Sequence, residues 1–547
     1  MSLVPWTARR KLREADEPLP LLPGYGGQNP FQRKRRLLAG VLFVLVLFYA
    51  LAFHIIGRFI PVYFMIPFAI LVLLVIWALP ETGRPPVRAL AALFSACLAG
   101  QLFWPDYFAI ALPGLPWITV LRLTAMPMTF VLMIALSVSA AFRARLKVVI
   151  GSAAAVTTLL LVFTGIEALS LVFSNSMFHS FNRLVNAVLG WTSVFFVAAY
   201  LFSRPGNARR MAIGIWAATA FWLAIALWEW RLGHVPWQGS IPSFLATDDE
   251  TVQRVLEGTA RYAGSYRIQA KFFTPISFAE FLALATPFVL HWMMSAERVS
   301  TRIAAGLMLP AIFVAIIGTD SRLGAAGFMV ACMAYAFFWG VRRWRYVRES
   351  VLGPAIVIAY PVLFSVFMAA TVFVGRVRKM VWGSGQHASS NEAREVQFEM
   401  AVPLLKAHPW GYGAGMSGSE LGYFTPSGLL TIDSYYLSVM LDFGLLGFVV
   451  YLAMFVSAIY VGGRRAFDSP EGETLWIVPA TITLINFVII KAVLAQVENH
   501  LLVFALLGMV VALGWRIRQA PPAAIRAPRD ATGARPRLRA PKGAAAA

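Results

Sequence analysis

About fourteen apolar runs succeed one another along this chain, most of them long enough to cross a hydrocarbon layer ~30 Å thick as a helix of roughly 20 residues. They can be drawn at 37–56, 60–79, 89–103, 117–142, 148–172, 184–202, 211–228, 276–294, 303–317, 323–339, 351–374, 435–460, 475–494 and 501–515, with 89–103 the weakest. A backbone in lipid must satisfy its own polar groups, so runs of this length predict helices rather than open sheets. With 59% hydrophobic and 13% charged residues, the 547-residue chain is neither disordered nor an ordinary soluble domain. The expectation is an all-α polytopic membrane protein with roughly 12–14 transmembrane helices and a partly helical outer loop before the last three spans.

Lys and Arg accumulate in short cytoplasmic connections. Here they recur on alternate loops: Arg33 to Arg36, Arg84 and Arg88, Arg143 to Lys147, Arg204 to Arg210, Arg298 and Arg302, Arg342 to Arg348, Arg464 and Arg465, then Arg516 and Arg518. This alternation predicts two cytoplasmic termini and two long loops on the opposite side. The chain then divides into a basic arm (1–36), a first bundle (37–230), a first outer loop (231–275), further spans (276–375), a second outer loop (376–434), the C-terminal helices (435–518) and a tail (519–547). The arm and the Ala/Pro/Arg tail carry too little apolar surface for a core and are expected to be disordered. Topology accounts for most of the net charge of +21, so no nucleic-acid partner is expected. Cys97 and Cys332 lie in different apolar runs and predict buried thiols, not a disulfide framework. The first run follows a long basic stretch with no small-residue cleavage site, and is expected to stay as an anchor.

Three polar segments interrupt this pattern: GTDSRLG (318–324), KAHPWGYGAG (406–415) and IDSYYLSVMLDFGLLG (432–447). Ionisable groups at membrane depth are tolerated where they line a cavity or pair within protein, which makes them site candidates. Arg322 follows a tight corner between two runs. Its planar fork suits a phosphate, and a structural clasp with Asp320 is the alternative reading. Arg261, Arg267 and Lys271 crowd the mouth of the next span, where they either hold an anion or snorkel to lipid headgroups. Arg376, Arg378 and Lys379 read as headgroup anchors.

Asp433 precedes a span and is open to two readings, helix N-cap and general base, which are compatible. Tyr435, Tyr436 and Trp410 offer ring faces to sugars. His408 is a second base candidate or a hydrogen-bonded hinge. Glu167, Glu229, Glu280, Lys491, Glu498 and His500 predict interhelical pairing. Nothing has metal-ligand spacing, Asp248-Asp249-Glu250 being a weak signal alone, and neither a metal nor another cofactor is expected. In 391–406, Val396, Met400, Leu404 and Leu405 share one helical face. They predict an amphipathic helix lying on the membrane, kinked or split at Pro403.

Taken in order, Ser321 to Gly324, His408 to Gly415 (His-Pro-x-Gly-x-Gly-x-Gly), and Asp433-Ser434 followed by Gly444 to Gly447 resemble the O-antigen ligase and polymerase superfamily of bacterial envelope proteins. The likeness runs over residues 260–500. It implies glycosyl transfer on the periplasmic face of the inner membrane from undecaprenyl diphosphate, to lipid A core sugars in ligases or to another lipid-linked repeat unit in polymerases. It also implies that Arg322, Arg267 and Arg261, with Lys271 assisting, hold the diphosphate while Asp433 or His408 takes the acceptor proton. Ligases carry histidine at the first position of the polar pair, where Asp433 stands here. That departure points to a polymerase of an exopolysaccharide, capsule or O-antigen, with the ligase as the alternative. The expected partners are an undecaprenyl-diphosphate-linked oligosaccharide, the bilayer, and flippase and chain-length regulator proteins. A transporter or flippase is the rival from another class, whose polar groups belong near the bilayer midplane at broken helices. A different lipid-dependent glycosyltransferase family with an acid in the first outer loop is disfavoured, because 54–60 (HIIGRFI) has none.

Overall fold

The apolar runs become helices, as backbone satisfaction in lipid requires. A computed structural model describes residues 30–57, 61–105, 107–110, 117–242, 244–245, 250–258, 266–347, 349–375, 388–425, 428, 430–469 and 472–520. Among these, twelve helices are long and apolar enough to cross a membrane. The protein is an all-α, multi-pass membrane protein. The runs at 60–79 and 89–103 form shorter apolar helices.

In chain order the helices are α1 (Pro30–Ala52), α2 (Pro61–Ala78), α3 (Val87–Phe103), α4 (Val120–Val138), α5 (Ala140–Gly151), α6 (Ala154–Ser170), α7 (Met177–Ala187), α8 (Ser193–Phe202), α9 (Asn207–Leu232) and α10 (Glu250–Glu257). There follow α11 (Pro275–Ser295), α12 (Val299–Gly318), α13 (Arg322–Tyr346), α14 (Leu352–Phe373), α15 (Ala388–Ala407), α16 (Ser417–Leu421), α17 (Tyr435–Asp468), α18 (Ile477–Lys491) and α19 (His500–Gln519). The chain forms two compact units, one of residues 1–97, 111–118 and 122–148, the other of residues 98–110, 119–121 and 149–547. In the first, Tyr49 stacks on Phe68, and Arg143 pairs with Glu81 and donates to the Leu136 carbonyl.

The second unit is built around α11 and α19, which are buried along most of their lengths. A helix apolar all round belongs at the centre of a bundle. Thr274 starts α11 by accepting the Ser277 N–H, with Pro275 in the first turn. α11 packs against α12, α13 and α18; α19 lies on α8; and α17 lies on α6 and α18. Gly324 and Gly327 allow α13 to approach α11 closely. A Cβ at Gly324 would stand 2.6 Å from Ala279 Cβ, and one at Gly327 would stand 2.9 Å from Ala283 Cβ.

Two expectations need correction. The first helix begins at Pro30, so Arg33 to Arg36 belong to its opening turns instead of a separate arm. The helix expected near 391–406 is one uninterrupted element, α15, that passes through Pro403. It also rests on protein: Met400, Leu404 and Leu405 pack against a cluster of Ala401, Tyr412, Met416, Leu421, Leu437 and Leu441. Burial of that face offsets the one backbone donor that Pro403 lacks.

The polar groups inside the second unit pair with one another. Lys491 Nζ lies 2.8 Å from Glu280 Oε1, both side chains fully buried, and Asn499 Nδ2 donates to Glu280 Oε2 at 2.8 Å. This pair fastens α18 to α11. Removing one partner strands a buried charge, so Glu280→Ala is expected to cost about 3–5 kcal/mol, while Glu280→Met with Lys491→Met costs much less. Thermal midpoints in detergent test this, and equal losses in the single and double variants would sink it.

Candidate active site

The site begins at the corner between α12 and α13. Thr319 N–H folds back onto the Ala315 and Ile316 carbonyls, and Asp320 takes a left-handed conformation with φ 48°. Aspartate tolerates that region better than most residues. Ser321 then caps α13 by accepting the Gly324 N–H, which makes Arg322 the first helical residue. The segment before α11 is docked on the same corner: Ile268 N–H donates to the Gly318 carbonyl at 3.1 Å and Arg267 Nε to the Thr319 carbonyl at 2.9 Å. Arg267 and Arg322 are therefore held at one corner.

The glycine-rich loop and α17 interlock. At Gly444 the helix is broken, with φ 72° and ψ 180°. A break leaves carbonyls of the preceding turn without intrahelical donors, and inside a membrane protein these need replacements. The loop supplies them: Tyr412 N–H donates to the Leu441 carbonyl at 2.8 Å and Gly413 N–H to the Asp442 carbonyl at 3.0 Å. The Asp442 carboxylate then accepts Gly415 N–H at 3.0 Å and Ser417 N–H at 2.7 Å. The fit leaves no room for side chains. A Cβ at Gly411 would stand 2.4 Å from the Asp442 carbonyl oxygen, and one at Gly444 would stand 2.1 Å from that of Pro409. The far side of the loop is pinned by Ser180 Oγ, which donates to the Ala414 carbonyl at 2.8 Å.

A line of polar contacts joins the corner to the start of α17. Arg322 Nη2 donates to Asn391 Oδ1 at 3.4 Å, and the same oxygen accepts Arg394 Nη1 at 3.4 Å. Arg394 Nε lies 3.7 Å from Asp433 Oδ2, and the Asp433 N–H donates to Gln397 Oε1 at 2.9 Å. Arg322 and Asp433 are thus two residues of α15 apart. Burial raises the Asp433 carboxyl above its ordinary range, opposed by the Arg394 charge and the Gln397 contact. The N-cap of α17 is Ser434, which accepts the Leu437 N–H. The capping role proposed for Asp433 therefore falls to its neighbour.

Residues 303–452 match the family model Wzy_C, described as O-Antigen ligase. This segment, 150 of the 547 residues, carries the likeness to the O-antigen ligase and polymerase superfamily. The matched segment includes Arg322, Asn391, Arg394, His408, Asp433 and Asp442, and ends short of the Lys491 pair. No curated protein matches the chain.

The remaining candidate residues of this O-antigen ligase-like chain are spread more widely. His408 is exposed and packs on Tyr412, with ring centroids 4.5 Å apart. Trp410 is 65% exposed. Tyr436 donates its hydroxyl to the Val488 carbonyl. Tyr435 is buried among Tyr451 and His500, inside the helices instead of at their mouth. That placement contradicts an open ring face for sugars. Lys271 is also buried, its Nζ on the Trp104 carbonyl at 3.3 Å and over the Phe272 ring, which removes it from the Arg322 corner. Arg261, Asp248, Asp249, Arg376, Arg378 and Lys379 lie outside the described residues.

Four site residues escaped the sequence reading. Asn391, Arg394 and Gln397 recur every three positions on a helical face whose apolar side alone was read. Asp442 carries a signal of its own, an acid two residues before a glycine inside an apolar run.

The interlock makes a sharp prediction. Gly411→Ala and Gly444→Ala are each expected to lose at least about 1–3 kcal/mol from backbone strain, and more from the clash with a carbonyl. Gly418→Ala, where a Cβ meets nothing within 4 Å, should change little. Thermal unfolding in detergent compares them, and equal tolerance at all three sites would refute the interlock.

Proposed function

We propose that this membrane-embedded glycosyltransferase polymerises oligosaccharide repeat units carried on undecaprenyl diphosphate into a surface polysaccharide. The observation that carries this reading is the contact line from Arg322 through Asn391 and Arg394 to Asp433, which links a permanent cation to a partly buried carboxylate through two residues of α15. The transfer needs those two groups.

An acceptor hydroxyl attacks the anomeric carbon of the donor sugar. Its proton passes to the Asp433 carboxylate, the new glycosidic bond forms, and the bond to the diphosphate oxygen breaks with its electron pair leaving on the diphosphate. Arg322 and Arg267 stabilise the charge that develops there, and Asp433 serves as general base. One displacement inverts the anomeric centre. The guanidinium groups supply the positive charge, and no metal or other cofactor is assigned. The alternation of basic loops supports an inner-membrane protein with cytoplasmic termini and a periplasmic active face. Flippase and chain-length regulator proteins would supply the substrate and set its final length.

Two rivals remain in view. The description of the matched family favours ligation to lipid A core, whereas aspartate at position 433, where ligases carry histidine, favours polymerisation. A transporter would use a broken helix to line a substrate cavity. The break at Gly444 is instead filled by the chain's own loop.

In proteoliposomes, Arg322→Ala is expected to lower chain lengthening by about 100-fold or more, and Asp433→Asn by roughly 100- to 10,000-fold, with His408→Ala milder. Normal polymer from Arg322→Ala would remove its role, and a reversed order of the other two would move the base to His408. Long chains made from lipid-linked repeats alone support the polymerase. An absolute need for a lipid A core acceptor means ligase.

The pH profile gives a separate test. Only ionised Asp433 accepts a proton, and burial lifts its pKa above the usual carboxylate range. Rate therefore falls as pH drops through that raised value. Arg394 opposes the shift, so Arg394→Gln should move the acid limb to higher pH; an unmoved limb, or one displaced downward, contradicts the base assignment.

A further inference from the structure

The last turns of α2 and α4 flank a cavity of about 410 Å³ in the first unit. Leu73, Ile76 and Trp77 line it from α2, and Met133, Leu136 and Ser137 line it from α4. Both sets follow the i, i+3, i+4 spacing of a single helical face. The volume is one at which ligand sites are found, roughly 300–1,000 Å³, and such sites combine apolar walls with a few placed polar groups. Here the charged groups stand at one end. Arg143, in the first turn of α5, lines the same cavity, donates to the Leu136 carbonyl at 2.7 Å and the Ser137 carbonyl at 3.1 Å, and pairs with Glu81. Ser137 Oγ donates to the Trp77 carbonyl at 3.2 Å, and the Thr82 and Gly83 N–H groups both donate to the Val138 carbonyl at 3.0 Å. These bonds satisfy the carbonyls left over where α4 ends and tie its last turn to the end of α2. The crevice is therefore built into the fold.

Both charged side chains still reach the surface, Arg143 at 42% and Glu81 at 34% exposure. Arg84, Arg88, Arg143 and Arg145 cluster at this end, which puts it at the level of lipid headgroups, and the exposed Trp77 is the ring type that collects there. An occupant thus meets a cation and an anion side by side, with hydrocarbon walls beyond. A headgroup that carries phosphate alone gains from Arg143 and is repelled by Glu81. One that carries phosphate and an ammonium is matched twice. A primary ammonium also donates N–H bonds to the carboxylate, which a quaternary one cannot do.

We infer that the crevice between α2 and α4 seats a phosphatidylethanolamine, its phosphate on Arg143, its ammonium on Glu81 and one acyl chain against Leu73, Ile76, Met133 and Leu136. The seat is independent of the polymerase reading, since every residue in it belongs to the first unit. Its ligand is a structural lipid, which is not consumed.

The test uses the full-length protein in a non-ionic detergent and a phosphatidylethanolamine carrying a photoreactive group in one acyl chain. Irradiation should label residues 73–77 and 133–137. Unlabelled phosphatidylethanolamine should compete about tenfold better than phosphatidylglycerol or phosphatidylcholine with the same chains, equivalent to some 1.4 kcal/mol of binding. Glu81→Gln keeps an acceptor for Arg143 but drops the charge, and should erase the preference over phosphatidylglycerol. Met133→Trp, which fills the crevice, should cut labelling of both segments by about tenfold, with circular dichroism and thermal midpoint establishing that each variant is folded. Equal competition by the three lipids means an ordinary lipid contact and overturns the inference, as does labelling confined to other helices. A Glu81→Gln protein that is less stable yet keeps the wild-type headgroup preference gives Glu81 a structural role only, and overturns it as well.

Discussion

Everything at this site depends on how α17 is interrupted. A helix that stops in the middle of a packed bundle exposes carbonyls that water cannot reach, and each unmet group costs as much as a lost hydrogen bond. Here the Leu441 and Asp442 carbonyls receive amides from Tyr412 and Gly413, and the Asp442 side chain returns the favour to Gly415 and Ser417. The exchange is reciprocal, so loop and helix define each other. It explains why glycines are needed on both partners: Gly411 and Gly444 face backbone atoms at distances no Cβ tolerates.

That interlock has a consequence for chemistry some distance away. The loop fixes where α15 ends, because His408 N–H closes its last turn on the Leu404 carbonyl and Tyr412 sits under Leu404 and Leu405. α15 in turn carries Asn391, Arg394 and Gln397, the three side chains between the α13 corner and Asp433. The Asp433 carboxylate just ahead of α17 and the Arg322 guanidinium at the start of α13 are thereby linked by a third element, itself locked by main-chain hydrogen bonds. Positioning through packed elements of this kind is what converts two loosely related groups into a site.

Much of this was legible in the residues and some was not, for identifiable reasons. Length and apolarity give the spans, because helices in lipid have no alternative. The Arg322 corner and Asp433 could be singled out, because charge in such surroundings is conspicuous. Pro403 misled, since a rule about isolated helices ignores the packing that keeps α15 continuous. The same packing turned a helix expected on the membrane into one that rests on protein. Lys271 and Tyr435 share a different failure: sequence places them beside the site, but their side chains point into the unit and find buried partners there. Asn391, Arg394 and Gln397 went unread because polar residues on an amphipathic helix usually face water, and only the fold shows what faces them.

The partly buried state of Asp433 suits the general-base role proposed for it better than either extreme. A fully exposed carboxylate is a weak base that leaves the acceptor hydroxyl untouched. A fully buried one would be held neutral by desolvation. Arg394, 3.7 Å away, is too distant for a tight charge-assisted bond yet near enough to favour the ionised form. Shortening the gap would strengthen the hold of Arg394 on the ionised carboxylate, and widening it would let burial favour the neutral carboxyl. The Asn391 amide oxygen accepts from both Arg394 and Arg322, so it ties the two guanidinium groups to one point of α15 and couples the α13 corner to the surroundings of Asp433.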